Sequence, residues 1–256
     1  MIRRALLAIA ALLAVLLLLA AGLVVNALRQ GSRQVGYPPI EVVEVDKAAV
    51  ATSLATAVRA KTVSGLGDPA GTATEFEVLH KHLAERYPLV HATLKREVVG
   101  LATLVYLWPG SDPGMRPVAL MAHQDVVPVA PGTDSLWKQP PFSGAVEGGF
   151  VWGRGALDDK SNVITQLEAV ESLLKAGFKP RRNVYLVFGH DEEVGGTNGA
   201  LSVVGLLKQR GVQLEYVLDE GMAVTEGILP GVAQPIALIG LAEKGAVTLR
   251  LERAPA

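Results

Sequence analysis

Short apolar segments alternate with helical segments along the second half of the chain, and three of the apolar segments end in charged loops. Pro117–Ala122, Asn183–Phe188 and Leu214–Leu218 have the length of buried strands, while Ser161–Ala176 and Asn198–Arg210 carry apolar residues at helical spacing. This alternation predicts an α/β fold with a mostly parallel or mixed sheet flanked by helices. Functional residues in such sheets lie beyond the carboxyl ends of the strands, so the three loops are expected to meet at one edge.

The flanking segments predict further elements of the same domain. Asp46–Arg59 has helical periodicity with Asp46 as a candidate N-cap, and Thr72–Arg86 predicts a second amphipathic helix. Leu101–Trp108 predicts a strand. Pro235–Leu241 and Ala246–Leu251 predict a pair of strands near the C-terminus.

Composition restricts the chemistry that the charged loops can perform. The chain has no cysteine, which excludes thiol nucleophiles, cysteine-type zinc sites and iron–sulfur clusters. It also lacks the serine-hydrolase elbow, the P-loop, the dinucleotide fingerprint and the H-E-x-x-H motif. A metal site would therefore depend on His, Asp and Glu, a donor set that suits zinc, manganese or cobalt.

Spacing within the loops suggests a division of roles. Asp125 follows His123 by two residues and faces the same side in an extended segment, so it can hold the second ring N–H of that histidine. Glu192 and Glu193 are neighbours that point apart, so one can bind a metal while the other faces water as a base. The carboxylate of Asp158 can bridge two metals. The alternative interpretations are a helix N-cap at Asp158-Asp159 and a solvated loop at Glu192-Glu193.

Four stretches resemble the M20 family of metallopeptidases, in its carboxypeptidase S and PM20D1-like branch: Met121–Pro128, Trp152–Lys160, His190–Gly196 and Leu218–Gly221. The resemblance implies a zinc-exopeptidase-like catalytic domain that hydrolyses amide bonds with two zinc ions, which cobalt or manganese could replace. It also implies a cis peptide bond after the bridging aspartate.

The resemblance implies a role for each residue of the site. His123 would bind the first zinc, Asp158 would bridge both ions and Glu193 would bind the second. Glu192 would be the general base, and Asp125 would orient the histidine. An acid after the third strand would complete the first zinc's ligands; Glu220 is favoured, and Asp219 is the alternative.

The same resemblance sets expectations about substrate and completeness. The substrate would be a peptide or an N-acyl amino acid, as for a carboxypeptidase or an amidohydrolase; an aminoacylase or dipeptidase is the alternative within the family. Members continue into a lid or dimerisation domain with a late metal-binding histidine, so residues 45–256 are expected to be a catalytic domain truncated at its C-terminus. A homodimer through the missing lid and an inactive, non-catalytic metal-binding fragment are further expectations to test.

The N-terminus differs sharply in charge and hydropathy from the remainder. Residues 1–36 carry a charge of +4 and the rest −5, and the absence of a basic stripe argues against a nucleic-acid partner. Ala5–Leu28 is an uncharged run of 24 residues, so residues 1–29 predict a transmembrane anchor or an uncleaved signal, followed by a linker over 30–44. Arg3 and Arg4 favour a cytoplasmic N-terminus and hence an extracytoplasmic body, periplasmic or extracellular. A small-residue cleavage site at Val25–Ala27 gives the alternative of secretion.

Overall fold

The structure is a computed structural model that describes residues 2–30, 36, 38, 44–65, 73–221 and 223–241. The chain divides into two compact units, residues 1–44 and 45–256. Most of the predicted linker over 30–44 falls outside the described residues.

The described part of the first unit is dominated by helix α1 (Ile2–Arg29). Its 28 residues extend about 42 Å at 1.5 Å per residue, which exceeds the roughly 30 Å of a bilayer's hydrocarbon core. Among the described residues it is the one helix that is long and apolar enough to cross a membrane. A membrane anchor and a signal sequence both fit this helix.

The second unit contains five helices and seven strands in its described part. The helices are α2 (Lys47–Arg59), α3 (Ala73–Arg86), α4 (Pro88–Thr93), α5 (Lys160–Lys175) and α6 (Ala200–Gln209). The strands are β1 (Lys95–Val99), β2 (Thr103–Trp108), β3 (Val118–His123), β4 (Ala145–Glu147), β5 (Phe150–Trp152), β6 (Val184–Gly189) and β7 (Val217–Leu218). Single 3-10 turns lie at Asp134–Leu136 and Glu192–Val194.

Five of the strands form a mixed sheet in the order β1-β2-β6-β3-β7. β3 is parallel to both β6 and β7, whereas β2 is antiparallel to β1 and β6. The register pairs His123 at the end of β3 with Gly189 at the end of β6. Because β3, β6 and β7 run in the same direction, the loops after them leave from one edge, as the sequence predicted.

The sheet is covered on both faces, which fixes the strand ends in place. Leu104, Tyr106 and Phe188 point into a core shared with α2, α3, α4 and α5. Val105 and Val187 point into a second, smaller core with α6. Strands that are buried on both faces need continuous apolar runs, and β2 and β6 have them.

Two of the predicted strands are wrong: one is shorter than predicted and the other is not a strand. β7 covers only the last two residues of Leu214–Leu218, because its partner β3 starts after Pro117, which has no N–H to donate. Pro235–Leu241 is not a strand: only Ile236 forms a bridge, with Thr225, and the side chains of Ile239 and Leu241 are exposed. Its predicted partner, Ala246–Leu251, lies outside the described residues.

Four elements were not predicted from the sequence: helix α4 and strands β1, β4 and β5. β1 is an edge strand of mostly exposed, charged residues, so it lacks the apolar alternation that identifies a strand. β4 and β5 form a separate hairpin. Its turn is Gly148-Gly149, with φ angles of 63° and 84° that favour glycine at both positions.

Candidate metal centre

His123 lies at the centre of the carboxylate-rich edge of the sheet. It ends β3, is 2% exposed, and its Nε2 is 2.9 Å from Asp158 Oδ1. The same nitrogen is 3.5 Å from Glu220 Oε1 and 3.7 Å from Glu192 Oε2. One imidazole nitrogen therefore faces acidic groups from three separate loops.

Two groups of three side chains could each hold a metal ion, and both include His123. The first group adds Asp158 and Glu193, the second adds Asp159 and Glu220, and within each group the ligand atoms lie within 4.8 Å of one another. Among the described residues, no lysine or arginine lies within 4.0 Å of these carboxylates. Imidazole and hard carboxylates are donors that zinc, cobalt and manganese accept, so the residues present fit a divalent cation.

The pKa shifts reflect this concentration of negative charge. Burial disfavours protonation of His123, but the hydrogen bond and charge of Asp125, with the charges of Glu220 and Asp159, outweigh it and raise the pKa of the imidazole to about 10. Burial, together with the neighbouring carboxylates, raises the pKa of Glu220 to about 7. Burial is also the main cause of the raised pKa values of Glu192 and Glu193.

Asp125 is fully buried behind His123 and holds two of the loops together. His123 Nδ1 lies 3.0 Å from the Asp125 carbonyl oxygen and 3.4 Å from Oδ1. The backbone N–H groups of Glu192 and Glu193 donate to the two carboxylate oxygens at 3.2 and 3.1 Å, and Ser64 Oγ donates to Oδ2 at 2.6 Å. Burial alone would raise the pKa of Asp125, but the hydrogen bonds from His123 and Ser64 lower it. Asp125 lies behind His123 as predicted, but Nδ1 hydrogen-bonds to its backbone carbonyl oxygen, and the predicted partner, the carboxylate, is 3.4 Å away.

Asp158 and Asp159 precede α5 and face the same histidine in different ways. The peptide bond between them is cis. The Asp158 side chain is largely exposed and contacts the imidazole, whereas Asp159 is buried and its Oδ2 accepts the backbone N–H of His123 at 3.1 Å. Asp159 occupies the N-cap position of α5 without capping it through its side chain. Burial raises its pKa to about 6.

Lys160 anchors the start of α5 to the end of α2. Its side chain is fully buried, and Nζ donates to the carbonyl oxygens of Ala57 and Ala60 at 3.0 and 2.6 Å. A cation is favourable at the C-terminal end of a helix. Burial lowers the pKa of this lysine to about 7. The position of Asp158 and Asp159 is thereby tied to a second helix.

Glu192 and Glu193 diverge from their 3-10 turn, as the spacing predicted for neighbouring residues. Glu192 lines a recess of about 250 Å³ together with His123 and Asp219. Glu193 lines a different recess of about 140 Å³ together with Asp158 and Trp137. The two carboxylates can therefore serve different purposes.

Asp219 and Glu220 both lie beside the histidine after β7. Glu220 belongs to one of the two metal-compatible groups, while Asp219 borders the recess next to Glu192. Asp219 Oδ1 also accepts the backbone N–H of Glu220 at 2.9 Å. Among the described residues, the geometry gives Glu220 the closer approach to His123.

Asp159 and Ser64 belong to the site but were not identified as functional from the sequence. Asp159 was interpreted only as part of a helix cap, although a second acid beside a candidate ligand was a usable signal. Ser64 lies 61 residues before the aspartate that it contacts, so no local pattern indicates the contact.

A divalent cation at this site is expected to bind more weakly in acid. With a pKa of about 10, His123 must release a proton to bind, and below pH 7 Glu220 holds a second one. Each displaced proton changes the affinity by about tenfold per pH unit, so a shift from pH 8 to pH 6 should weaken Co²⁺ binding by about 100-fold to 1000-fold. Calorimetric titration at the two pH values measures this, and equal affinities would contradict it.

The sequence is similar to peptidases and amide hydrolases. A model of peptidase family M20/M25/M40 matches residues 119–252. The N-fatty-acyl-amino acid synthase/hydrolase PM20D1 of Xenopus tropicalis is 41% identical over 213 residues, which are 82% of this chain and 41% of that protein. The probable carboxypeptidase S-like 2 of Dictyostelium discoideum is 38% identical over 242 residues, 90% of this chain and 46% of the relative. This chain thus spans less than half the length of these relatives.

Solved structures share the fold. Human carnosine dipeptidase 1 superposes with a TM-score of 0.54 at 18% identity, over 70% of this chain and 40% of that chain. The M20 family metallo-carboxypeptidase Sso-CP2 from Sulfolobus solfataricus gives a TM-score of 0.55 at 22% identity, over 70% and 38% of the two chains. The mixed sheet with flanking helices is therefore the architecture of these proteins.

Proposed function

This chain belongs to peptidase family M20/M25/M40, and on that basis we propose that it is the metal-binding portion of a hydrolase that cleaves amide or peptide bonds with two zinc ions. One observation carries the proposal: an imidazole and carboxylates from separate loops lie within 4.8 Å of one another at the carboxyl edge of the sheet. Structural ion pairs would be expected to mix acids with lysines or arginines, and these carboxylates have no such partner among the described residues.

Each proposed ligand would have its own role toward the two ions. His123 and Glu220 would hold the first ion, with Asp219 as the alternative to Glu220, and Glu193 would hold the second. Asp158 would be shared between the two ions. Zinc, or cobalt or manganese in its place, would supply Lewis acidity that polarises the substrate carbonyl and lowers the pKa of water from 15.7 to about 7.

Glu192 is the general base in this proposal. It removes a proton from the water molecule as the water oxygen forms a bond to the substrate carbonyl carbon. It then delivers that proton to the leaving nitrogen as the carbon–nitrogen bond breaks, which returns the carboxylate to its starting state. Burial and the surrounding acids raise its pKa, which brings it closer to the working pH and makes it a better base.

Asp125 serves as an orienting residue for His123. The Asp125 carbonyl oxygen can only accept a hydrogen bond, so the hydrogen of the imidazole resides on Nδ1 and Nε2 faces the ligand cluster. The carboxylate of Asp125 accepts the backbone N–H groups of Glu192 and Glu193 and so fixes the 3-10 turn that carries them. One buried residue, through its carbonyl and its carboxylate, thereby aligns the histidine with the proposed base.

We propose a peptide or an N-acyl amino acid as the substrate. The recess beside Asp158 and Glu193 is lined by Trp137 and Arg154, whose guanidinium stacks on the indole ring at 4.9 Å. An apolar wall and a cation beside the proposed metal site suit a substrate with an apolar portion and a carboxylate. The relatives named as carboxypeptidases and as N-fatty-acyl-amino acid synthase/hydrolases agree with that class.

We also propose that α1 anchors the chain in a membrane with the body outside the cytoplasm. The support is the length and apolar character of this helix, together with Arg3 and Arg4 at its start. Secretion after signal cleavage is the alternative, and the N-terminal sequence of the mature protein distinguishes the two.

The purified chain tests the proposed function directly. We expect inductively coupled plasma mass spectrometry to detect bound zinc, and hydrolysis of peptides or N-acyl amino acids to stop with a chelator and return with Zn²⁺, Co²⁺ or Mn²⁺. A chain that binds no divalent cation would refute the proposal. A chain that binds metal but hydrolyses neither substrate class would reduce it to a non-catalytic metal-binding protein.

A further inference from the structure

Gln124 lies between His123 and Asp125, and its side chain and backbone are completely buried. Its backbone N–H donates to Gly189 O at 2.8 Å, and its carbonyl oxygen accepts Thr62 Oγ1 at 2.6 Å. Its amide Nε2 donates to Ala102 O and Phe188 O at 3.1 and 2.8 Å. The backbone N–H, the backbone carbonyl and the side-chain Nε2 of Gln124, the residue between His123 and Asp125, are therefore all hydrogen-bonded.

The remaining polar atom of Gln124 contacts His80 on α3. Gln124 Oε1 lies 2.7 Å from His80 Nε2. An amide oxygen only accepts, so the histidine donates from Nε2. The side-chain Nε2 of Gln124 faces two backbone carbonyl oxygens, which can only accept hydrogen bonds. Exchange of the amide oxygen and nitrogen would place an acceptor against these acceptors, so only one orientation of the amide satisfies all of its hydrogen bonds.

We propose that His80 and Gln124 are positioning residues that hold the His123–Asp125 segment in the geometry required for metal binding. The inference rests on the proposed function, because it assigns these residues a role toward the same metal site. Their contacts join α3, the start of β2, the end of β6 and the segment after α2 to these three residues. Neither residue contacts the ligand cluster itself, so both act through His123 and Asp125.

His82 provides a matched control on the same helix. It is half-buried like His80, and its Nε2 lies 3.1 Å from Ser53 O and 3.0 Å from Ser53 Oγ. Ser53 belongs to α2. Among the described residues, none of the hydrogen bonds of His82 reaches the His123–Asp125 segment or the proposed ligands. His80→Leu and His82→Leu therefore each remove a half-buried histidine hydrogen bond, but only the first acts on this segment.

The experiment measures Zn²⁺ affinity by competition with a chelating dye, the absorption spectrum of the Co²⁺-loaded protein, and the metal-free melting temperature. We expect His80→Leu to weaken Zn²⁺ binding by about tenfold, at the lower end of the 10–100-fold effects of outer-shell groups, and to alter the Co²⁺ spectrum. His82→Leu should leave both unchanged even if it lowers the melting temperature equally. His80→Gln, which can still donate to Gln124, should recover most of the affinity.

The following outcomes would overturn the proposal. Equal Zn²⁺ affinities for His80→Leu and His82→Leu would reduce His80 to a purely structural residue, as would failure of His80→Gln to recover the affinity. A wild-type chain that binds no divalent cation would refute the metal site and this inference together. If His80→Leu does not fold, Thr62→Val and Thr62→Ser decide the question. Loss of affinity in the valine variant alone supports the proposal, and equal affinities contradict it.

Discussion

Replacement of Glu192 by glutamine is expected to leave metal binding intact and to lower turnover by about 10²–10⁴-fold, the usual contribution of a general base. Glutamine has the shape of glutamate but cannot accept a proton from water. Glu192 also lies outside both metal-compatible groups, so its charge is not required to hold an ion. Steady-state kinetics with a peptide or an N-acyl amino acid, paired with metal analysis of the same preparation, measures the effect.

Glu77→Gln is the matched control, because Glu77 is exposed on α3 and remote in sequence from the charged loops. It should behave as wild type in both assays. If the Glu192→Gln protein retained normal turnover while fully loaded with metal, Glu192 would be removed from the role of base. Loss of metal from this variant would instead make Glu192 a ligand.

Replacement of Asp158 by asparagine should weaken zinc binding by more than about 100-fold, because changes to outer-shell groups alone cost 10–100-fold. Asp158 Oδ1 is 2.9 Å from His123 Nε2, and the residue is the proposed bridge between both ions. Removal of the negative charge relieves repulsion from Glu193 and Glu220 but also removes the contact with the protonated imidazole of His123. Because these two effects oppose each other, the metal-free variant should melt close to the metal-free wild type, which separates loss of a ligand from loss of the fold.

Asp134→Asn serves as the control for this substitution, since Asp134 is an exposed aspartate in the 3-10 turn at Asp134–Leu136. It should keep wild-type zinc content after dialysis against a zinc buffer. Retention of two zinc ions per chain by Asp158→Asn would exclude Asp158 as a ligand. A lower metal-free melting temperature would show that the residue supports folding.

The sequence predicted those parts of the site whose signal is local. His123 is the last residue of β3 and Glu192 follows β6, two apolar strands that are largely buried, so the strand ends could be located from hydropathy alone. Parallel strands bring their carboxyl ends to one edge, and general topology therefore placed the two loops together. The two-residue offset predicted that Asp125 lies behind His123 for the same local reason, although the hydrogen bond goes to its backbone carbonyl oxygen and not to the predicted carboxylate.

The parts that could not be predicted depend on packing between distant segments. Ser64 donates to Asp125 and Thr62 to Gln124 only because the segment after α2 crosses the end of β3. The carboxylate of Asp159 accepts a hydrogen bond from the backbone N–H of His123 and does not cap α5, and helix-capping preferences alone do not predict this partner. His80 carries no pattern that distinguishes it from His82, although the two contact different parts of the molecule.

The shortness of β7 affects how fast an ion bound next to it would dissociate. Only two of its residues pair with β3, and both are exposed at the margin of the sheet. Local opening starts where few backbone bonds and little apolar contact resist it. Fraying of this margin would carry Glu220 away from His123 while Asp158 and Glu193 stayed in place. If the proposed pair of ions is bound, the ion held by His123 and Glu220 would then exchange with solvent sooner than the ion held by Glu193.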